Sequence, residues 1–351
     1  MIGYYAHGQG YGHSNYADLM ADRLGSHLAI FTDSDFNFRK KSRVIKLPNE
    51  DVDGTELKVI KCEKPKFLHH NPLGLKKIQQ RSHTILDQVI YRNIRLMLVD
   101  VSVEVATLCR VSSIPYAYRR MPGERNDLPH LEAYRGAVFL FAYYPKSCES
   151  SSTPDWVVDK TYYLGFIGEN SIEKSGALGK GLESIKEIEN ILVIQGKGGH
   201  NLSRSRIEKL IKDFRSAQIH TIGCFDDVPE AANYTHHGFV DNIKKYVQQA
   251  DVIFTACGSS TVSNLLGMGR KFICMPQNRP FNEQDCIGDF LVENKLAVKL
   301  YDNQFTDAIH DFLKLDPYIK EEFQPTDMSS FATACIEYHD RLESHENQVL
   351  Q

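Results

Sequence analysis

Residues 237–284 read HGFVDNIKKYVQQADVIFTACGSSTVSNLLGMGRKFICMPQNRPFNEQ. Two consecutive αβ units fit this stretch. Asn242 to Gln249 has helical spacing, and Val252–Ile253–Phe254 is a short apolar run of the kind buried in a parallel sheet. Gly258, Ser259, Ser260 and Thr261 then lead into a second helical pattern, Val262 to Met268. A turn of small residues between strand and helix exposes helix N–H groups and hydroxyls, which suits a phosphate. Phe272 to Met275 is a third apolar run, closed by Pro276, and Glu283 and Gln284 open a further helix. There a carboxylate and an amide can hold vicinal hydroxyls. Phosphate donors and diol acceptors, each just past the C-terminal end of a strand, are what a nucleotide-sugar requires.

The segment from Gly238 to Gln284 resembles the donor-binding half of the GT-B glycosyltransferases, above all the MurG-like group with a family-28-type C-terminal domain. Three features carry the resemblance. They are the Phe239-Val240-Asp241 turn, the Gly258-x-x-Thr261 helix start, and the proline-containing loop that ends in Glu283-Gln284. Asn264 stands where that group usually has a glutamate that binds the ribose hydroxyls. The resemblance implies an α/β GT-B fold: two Rossmann-like domains facing a central cleft, with a C-terminal helix crossing back to the N-terminal domain. It implies that the backbone of Val240 meets the base. It also implies an inverting hexosyltransferase that moves a sugar from a nucleoside-diphosphate donor, a UDP-sugar first among them, to an acceptor hydroxyl.

Bulk properties agree with a globular protein of two domains: 351 residues, of which 42% are hydrophobic and 25% charged. The net charge of −4 is unevenly spread, since residues 1–160 hold 22 Lys/Arg against 18 Asp/Glu. A mildly basic first half can face an anionic acceptor or the inner membrane surface, or be ordinary solvated charge. It is far from the basic stripe of a nucleic-acid binder. The eight cysteines form no CxxC pair and several sit in apolar runs, so they read as reduced, buried side chains of a cytoplasmic protein. The opening MIGYYAHGQGYGH lacks the regions of a signal peptide, and the sequence has no apolar run long enough for a transmembrane helix.

Taken in order, the chain begins with a short apolar strand, Ile2 to Ala6, followed by the loop His7-Gly8-Gln9-Gly10-Tyr11-Gly12-His13. Ser14 reads as a helix cap, Tyr16 to Leu24 as a helix, and Leu28 to Phe31 as the next strand. Two readings of the loop compete. Asp33 follows the second strand where a dinucleotide's ribose carboxylate would sit, but the spacing is G-x-G-x-G rather than G-x-G-x-x-G. The run GQGYGHSNYADLMADRL also resembles the opening of the MurG-like transferases, where a histidine ends the loop. That resemblance makes His13 the base and puts Gly12 beside the donor.

Farther along, Lys58 to Leu75 reads as a lid or solvent loop. Asp100 ends the apolar run Leu96 to Val99 on the ligand face of the sheet and can orient His13. Arg119, Arg120, Arg125 and His130 read as one cationic loop able to hold an acceptor phosphate or carboxylate, or as a mobile charged loop. The domain change is expected between Pro145 and Asn190, giving an N-terminal domain of residues 1–150, a donor domain of 151–325 and a returning helix from 326. Ile191 to Ile194 starts the second sheet, and Gln195-Gly196-Lys197-Gly198-Gly199 is a second glycine turn. Lys197, Gly199 and the Gly258–Thr261 turn are therefore the expected diphosphate donors, sufficient without a metal.

Other classes fit less well. Walker A, HExxH and G-x-S-x-G motifs are absent. His69-His70 and His236-His237 are adjacent pairs whose side chains diverge in a strand, so a dedicated metal site is not expected. A sugar-nucleotide epimerase on the GT-B fold and a non-catalytic scaffold on the same fold both stay open.

Overall fold

The computed structural model describes residues 1–40, 43–50, 62–70, 72–168, 184–196, 202–240, 242–316 and 318–349. Its first sheet has seven strands: β1 (Ile2–Tyr5), β2 (Leu28–Thr32), β3 (Val44–Lys46), β4 (Leu96–Asp100), β5 (Tyr116–Arg120), β6 (Leu140–Ala142) and β7 (Thr161–Tyr163). The second has six: β8 (Asn190–Gln195), β9 (Gln218–Gly223), β10 (Tyr234–His236), β11 (Val252–Thr255), β12 (Phe272–Cys274) and β13 (Ala297–Lys299). Their orders are β3-β2-β1-β4-β5-β6-β7 and β10-β9-β8-β11-β12-β13, and every pairing is parallel. Strands β1, β2, β4 and β11 are buried from end to end, as parallel strands covered on both faces must be.

The helices between them are α1 (Tyr11–Leu24), α2 (Lys76–Tyr91), α3 (Val103–Val111), α4 (Leu128–Gly136), α5 (Asp155–Asp159), α6 (Arg204–Asp213), α7 (Lys244–Gln249), α8 (Ser259–Gly267), α9 (Glu283–Glu293), α10 (Phe305–Leu313) and α11 (Ser329–Val349). In both sheets the strand order reverses beside the first strand, and loops at that point leave a crevice outside the carboxyl ends.

Helix α11 crosses back to the first domain. Its Phe331, Ala332 and Cys335 pack among Tyr4, Tyr16 and Met20, and the N-terminal amine lies 2.9 Å from His339 Nε2. The chain passes between domains twice, side by side, since Thr326 N–H donates to Phe166 O at 2.8 Å. Strand β7 pairs with β6, so the first sheet runs through Tyr163, past the expected domain end at residue 150 and within the span from Pro145 to Asn190 where the change is expected.

Five of the eight free cysteines are buried, as their apolar runs suggested, while Cys62 is exposed. Among the described residues no helix is long and apolar enough to cross a membrane.

Candidate active site

Helix α1 begins inside the glycine loop rather than after it. Gly10, with φ of 76°, is the residue before the helix, so Gly12 and His13 belong to its first turn. Ser14, expected as the cap, is buried within the helix and its Oγ has no hydrogen bond. A Cβ on Gly12 would meet nothing within 4 Å, so open space lies over this turn.

Beneath the turn is a buried charge cluster. Asp100 is fully buried at the end of β4, and its Oδ1 lies 2.9 Å from His13 Nδ1. Arg119 Nη1 donates to the two carboxylate oxygens at 2.9 and 2.7 Å, and Tyr4 Oη donates to Oδ2 at 3.2 Å. Burial pushes the Asp100 carboxyl up, but Arg119 and then His13 outweigh it and hold it well below the usual carboxylate range. An ionised Asp100 accepts a proton-bearing Nδ1, which leaves the lone pair of His13 on Nε2. The 3.3 Å approach of Arg119 Nη1 to the same Nδ1 is the weaker contact. Val101, the next residue, has φ of 60°, rare for a β-branched residue and the kind of strain found where a site fixes its backbone.

A second histidine–acid pair stands beside the first. His7 Nε2 lies 3.1 Å from Glu50 Oε1, and the His7 and His13 rings are 5.8 Å apart. Burial, with His13 close by, lowers the His7 pKa. Sequence reading missed this pair, whose only signal was the position of His7 two residues past the end of β1. Asp33 does not offer a free ribose carboxylate: it faces Gly8, where a Cβ would collide with it, and Arg81 Nη1 lies 3.5 Å away.

Three expected acceptor ligands have other partners. Arg119 and Arg120 are not loop residues but the last two of β5, both 2% exposed. Alternation along the strand sends Arg119 to Asp100 and Arg120 to Glu149 at 2.9 Å. Arg125 does lie in the loop, and it reaches across the cleft to Glu283 Oε2 at 3.0 Å. An anion site built from these three is therefore corrected: each guanidinium already holds a carboxylate.

On the opposite face, Gly258 precedes α8 with φ of −70°, and nothing lies within 4 Å of its would-be Cβ. Ser259 is buried, while Ser260 and Thr261 are half-buried. Asn15 Nδ2 in α1 donates to Ser260 Oγ at 3.4 Å, so the N-termini of α1 and α8 meet across the cleft. Gln284 does not present its carbonyl to a ligand. Its Oε1 accepts from Cys257 N–H at 3.2 Å and Gln277 N–H at 2.9 Å, tying together the two loops that frame the site. The expected hydroxyl contact by this oxygen is thus corrected to a structural role. The Val240 side chain packs on the second domain's core. Lys197 and Gly199 lie outside the described residues, as do residues 58–61 of the expected lid.

Solved structures place this architecture. MurG of Acinetobacter baumannii is similar over 95% of this chain and 98% of its own, at 13% identity and a TM-score of 0.59. The calicheamicin glycosyltransferase CalG4 is similar over 100% and 99%, at 13% identity and a TM-score of 0.59. UDP-GlcNAc 2-epimerase of Methanocaldococcus jannaschii is similar over 96% and 100%, at 10% identity and a TM-score of 0.59. The fold is GT-B. Residues 190–334 match the model of the glycosyltransferase family 28 C-terminal domain. No curated protein matches the sequence.

Proposed function

We propose that this protein is an inverting hexosyltransferase that uses a nucleoside-diphosphate sugar, with a UDP-sugar as the first choice of donor. One observation carries the reading: the first turn of α1, bearing His13 on a buried Asp100, faces the first turn of α8 across the cleft. Two helix N-termini aimed at one space suit a diphosphate.

The diphosphate lies against Gly258, Ser259, Ser260 and Thr261, with Gly12 opposite and with Lys197 and Gly199 as further donors. Val240 backbone meets the base, and Glu283 meets a sugar hydroxyl. The acceptor O–H gives its proton to His13 Nε2 as its oxygen bonds to the anomeric carbon. The bond from that carbon to the β-phosphate oxygen breaks, and the nucleoside diphosphate leaves with the electron pair. Asp100 holds the tautomer that keeps Nε2 basic. With the three arginines paired, the acceptor subsite is taken to lie near His7, Tyr11 and Phe36, whose Tyr11–Phe36 rings meet edge to face at 5.6 Å. The positive balance of residues 1–160 supports peripheral contact with an anionic membrane, which sedimentation with phosphatidylglycerol vesicles tests.

A second reading, epimerisation of a nucleotide sugar, is favoured by the equal similarity to the epimerase. One experiment separates them. A calorimetric screen of UDP-, GDP- and dTDP-sugars identifies the donor, for which a hundredfold excess over Kd raises stability by about 2.7 kcal/mol. Incubation of that donor with hydroxyl acceptors then follows. Acceptor-dependent release of the nucleoside diphosphate supports transfer, whereas acceptor-independent formation of an epimer supports the second reading. Binding of none of these sugars would remove both.

A further inference from the structure

The loop before α9 does more than lead into the donor helix. Phe281 and Asn282 have φ of 63° and 54°, two consecutive non-glycine residues in the left-handed region. This strained corner is held by the first domain. Glu124 N–H donates to Phe281 O at 2.8 Å, and Asn282 Nδ2 donates to Glu124 Oε2 at 3.3 Å. Gly123, with φ of 105°, lies so close that a Cβ there would collide with the Phe281 carbonyl oxygen. Arg125 stacks on the Phe281 ring, 4.7 Å from its centroid, and His130 meets the same ring edge-on at 4.9 Å.

Behind Arg125 stands a relay. Asp127 holds His69 Nε2 and His130 Nδ1, each at 2.5 Å, and Arg125 Nη1 lies 3.3 Å from His130 Nε2. A consistent proton arrangement has His130 donating through Nδ1 and accepting from Arg125 at Nε2. His69, Asp127 and His130 are close enough to hold a metal ion. Ligation through Nδ1 would move the proton to Nε2, facing the guanidinium, so the Arg125 contact favours the metal-free network.

Arg125 Nη2 donates to Glu283 Oε2 at 3.0 Å, with both side chains mostly buried, while Glu283 Oε1 has no partner among the described residues. We propose that Arg125 is a positioning residue: from the first domain it fixes one oxygen of Glu283, so that the donor-sugar subsite is complete only when the two domains are docked. This rests on the reading of Glu283 as a donor-sugar ligand.

The test titrates the full chain with UDP, GDP and dTDP and with their glucose conjugates, and takes the base that binds best. The measured quantity is the gain in affinity on adding glucose to that nucleotide. We expect Arg125→Gln and Glu283→Gln each to reduce the gain about tenfold, the loss of one charge-assisted hydrogen bond. Nucleotide affinity itself should be unchanged. The double variant should be no worse than Glu283→Gln alone, and Arg125→Lys should recover part of the gain. Melting curves confirm that each variant is folded. Additive losses in the double variant, or a wild-type gain in Arg125→Gln beside a reduced one in Glu283→Gln, would overturn the positioning role alone. A wild-type gain in Glu283→Gln, or no nucleotide binding at all, would overturn the donor-site reading and this proposal with it. Zn²⁺ that strengthens the gain would assign the histidines to a metal and also overturn it.

Discussion

The two faces of the cleft are built by different means. The first domain's face rests on buried ion pairs: Asp100 with Arg119, Arg120 with Glu149, and Arg81 with Asp33 and Glu50. Their partners are 19 to 48 residues apart in sequence. The second domain's face rests on turns whose polar groups are satisfied within a few residues or by one amide, as Ser263 Oγ is by Ser259 O and Gln277 N–H by Gln284. Fixed side-chain charge on one side faces backbone dipoles on the other. Such a division suits a proton-transfer centre opposite an anion cradle.

The largest effect should come from breaking the charged face at His13, the base of the proposed function. His13→Ala should keep donor affinity while kcat falls by ~10²–10⁴, measured by donor titration and steady-state kinetics. Wild-type kcat in that variant would move the base elsewhere, with His7 the next residue to replace. Asp100→Asn should fall between, but it also leaves Arg119 without its buried counter-charge, at a stability cost of about 3–5 kcal/mol. Its kinetics therefore need a melting curve beside them.

Two glycines sharpen the contrast at the next level. Gly123→Ala forces a Cβ against the Phe281 carbonyl at φ of 105°, so we expect roughly 1–3 kcal/mol of lost stability by chemical denaturation. Gly258→Ala adds a methyl into open space at an ordinary φ of −70°. It should leave the denaturation midpoint alone and raise the donor KM about tenfold, because the methyl occupies space a phosphate needs. Equal effects of the two substitutions on stability would mean that the cradle, too, is held by packing.

The same division explains what the sequence revealed. The strand–turn–helix at Gly258–Thr261 was legible because its pattern is local: small residues between an apolar strand and a helix. Asp100 was legible as an acid ending an apolar run. Arg119 and Arg120 were misplaced because YRRMPGERNDLPH reads as a charged loop, whereas pairing with Met97 to Asp100 carries the strand on through Arg119. The structural hold of Gln284 Oε1 was not legible because nothing in FNEQ shows that two backbone N–H groups claim that oxygen. The His69–Asp127–His130 relay joins residues 58 and 3 apart and leaves no local pattern at all. Long-range charge pairing is set by topology, and topology is what one sequence discloses least.

A smaller effect should follow pH at the interdomain contact. Burial and the Arg125 charge push the His130 pKa down to about 4. Its folded value thus lies below its ordinary one of 6.5. The stabilisation from neutral His130 is complete above pH 6.5, and it is lost as pH falls toward 4, where the unfolded chain takes up a proton that the folded site refuses. The depressed carboxyl of Asp127 adds a loss of the same sign at lower pH. We expect the Tm advantage of wild type over His130→Gln to shrink by ~2–4 °C between pH 7.5 and 5. An advantage that grows on acidification would show His130 charged in the native state.

The smallest effect expected is that of a chelator, and it tests the cradle most directly. A divalent ion on a diphosphate takes carboxylate or water oxygens as its other ligands. Asp100 is held by Arg119 and His13, Glu50 by Arg81 and His7, and Glu283 by Arg125. These carboxylates are already matched by cations, and recruiting one would uncover a buried charge. In the proposed function the leaving diphosphate is instead met by the N–H groups opening α8 and by the hydroxyls of Ser259, Ser260 and Thr261, aided by the dipoles of α1 and α8. Turnover in excess EDTA should therefore stay within about twofold of that in Mg²⁺. Loss of turnover on chelation, restored by Mg²⁺, would show that one of these ion pairs opens in the donor complex, with Arg125–Glu283 the first to examine by Arg125→Gln.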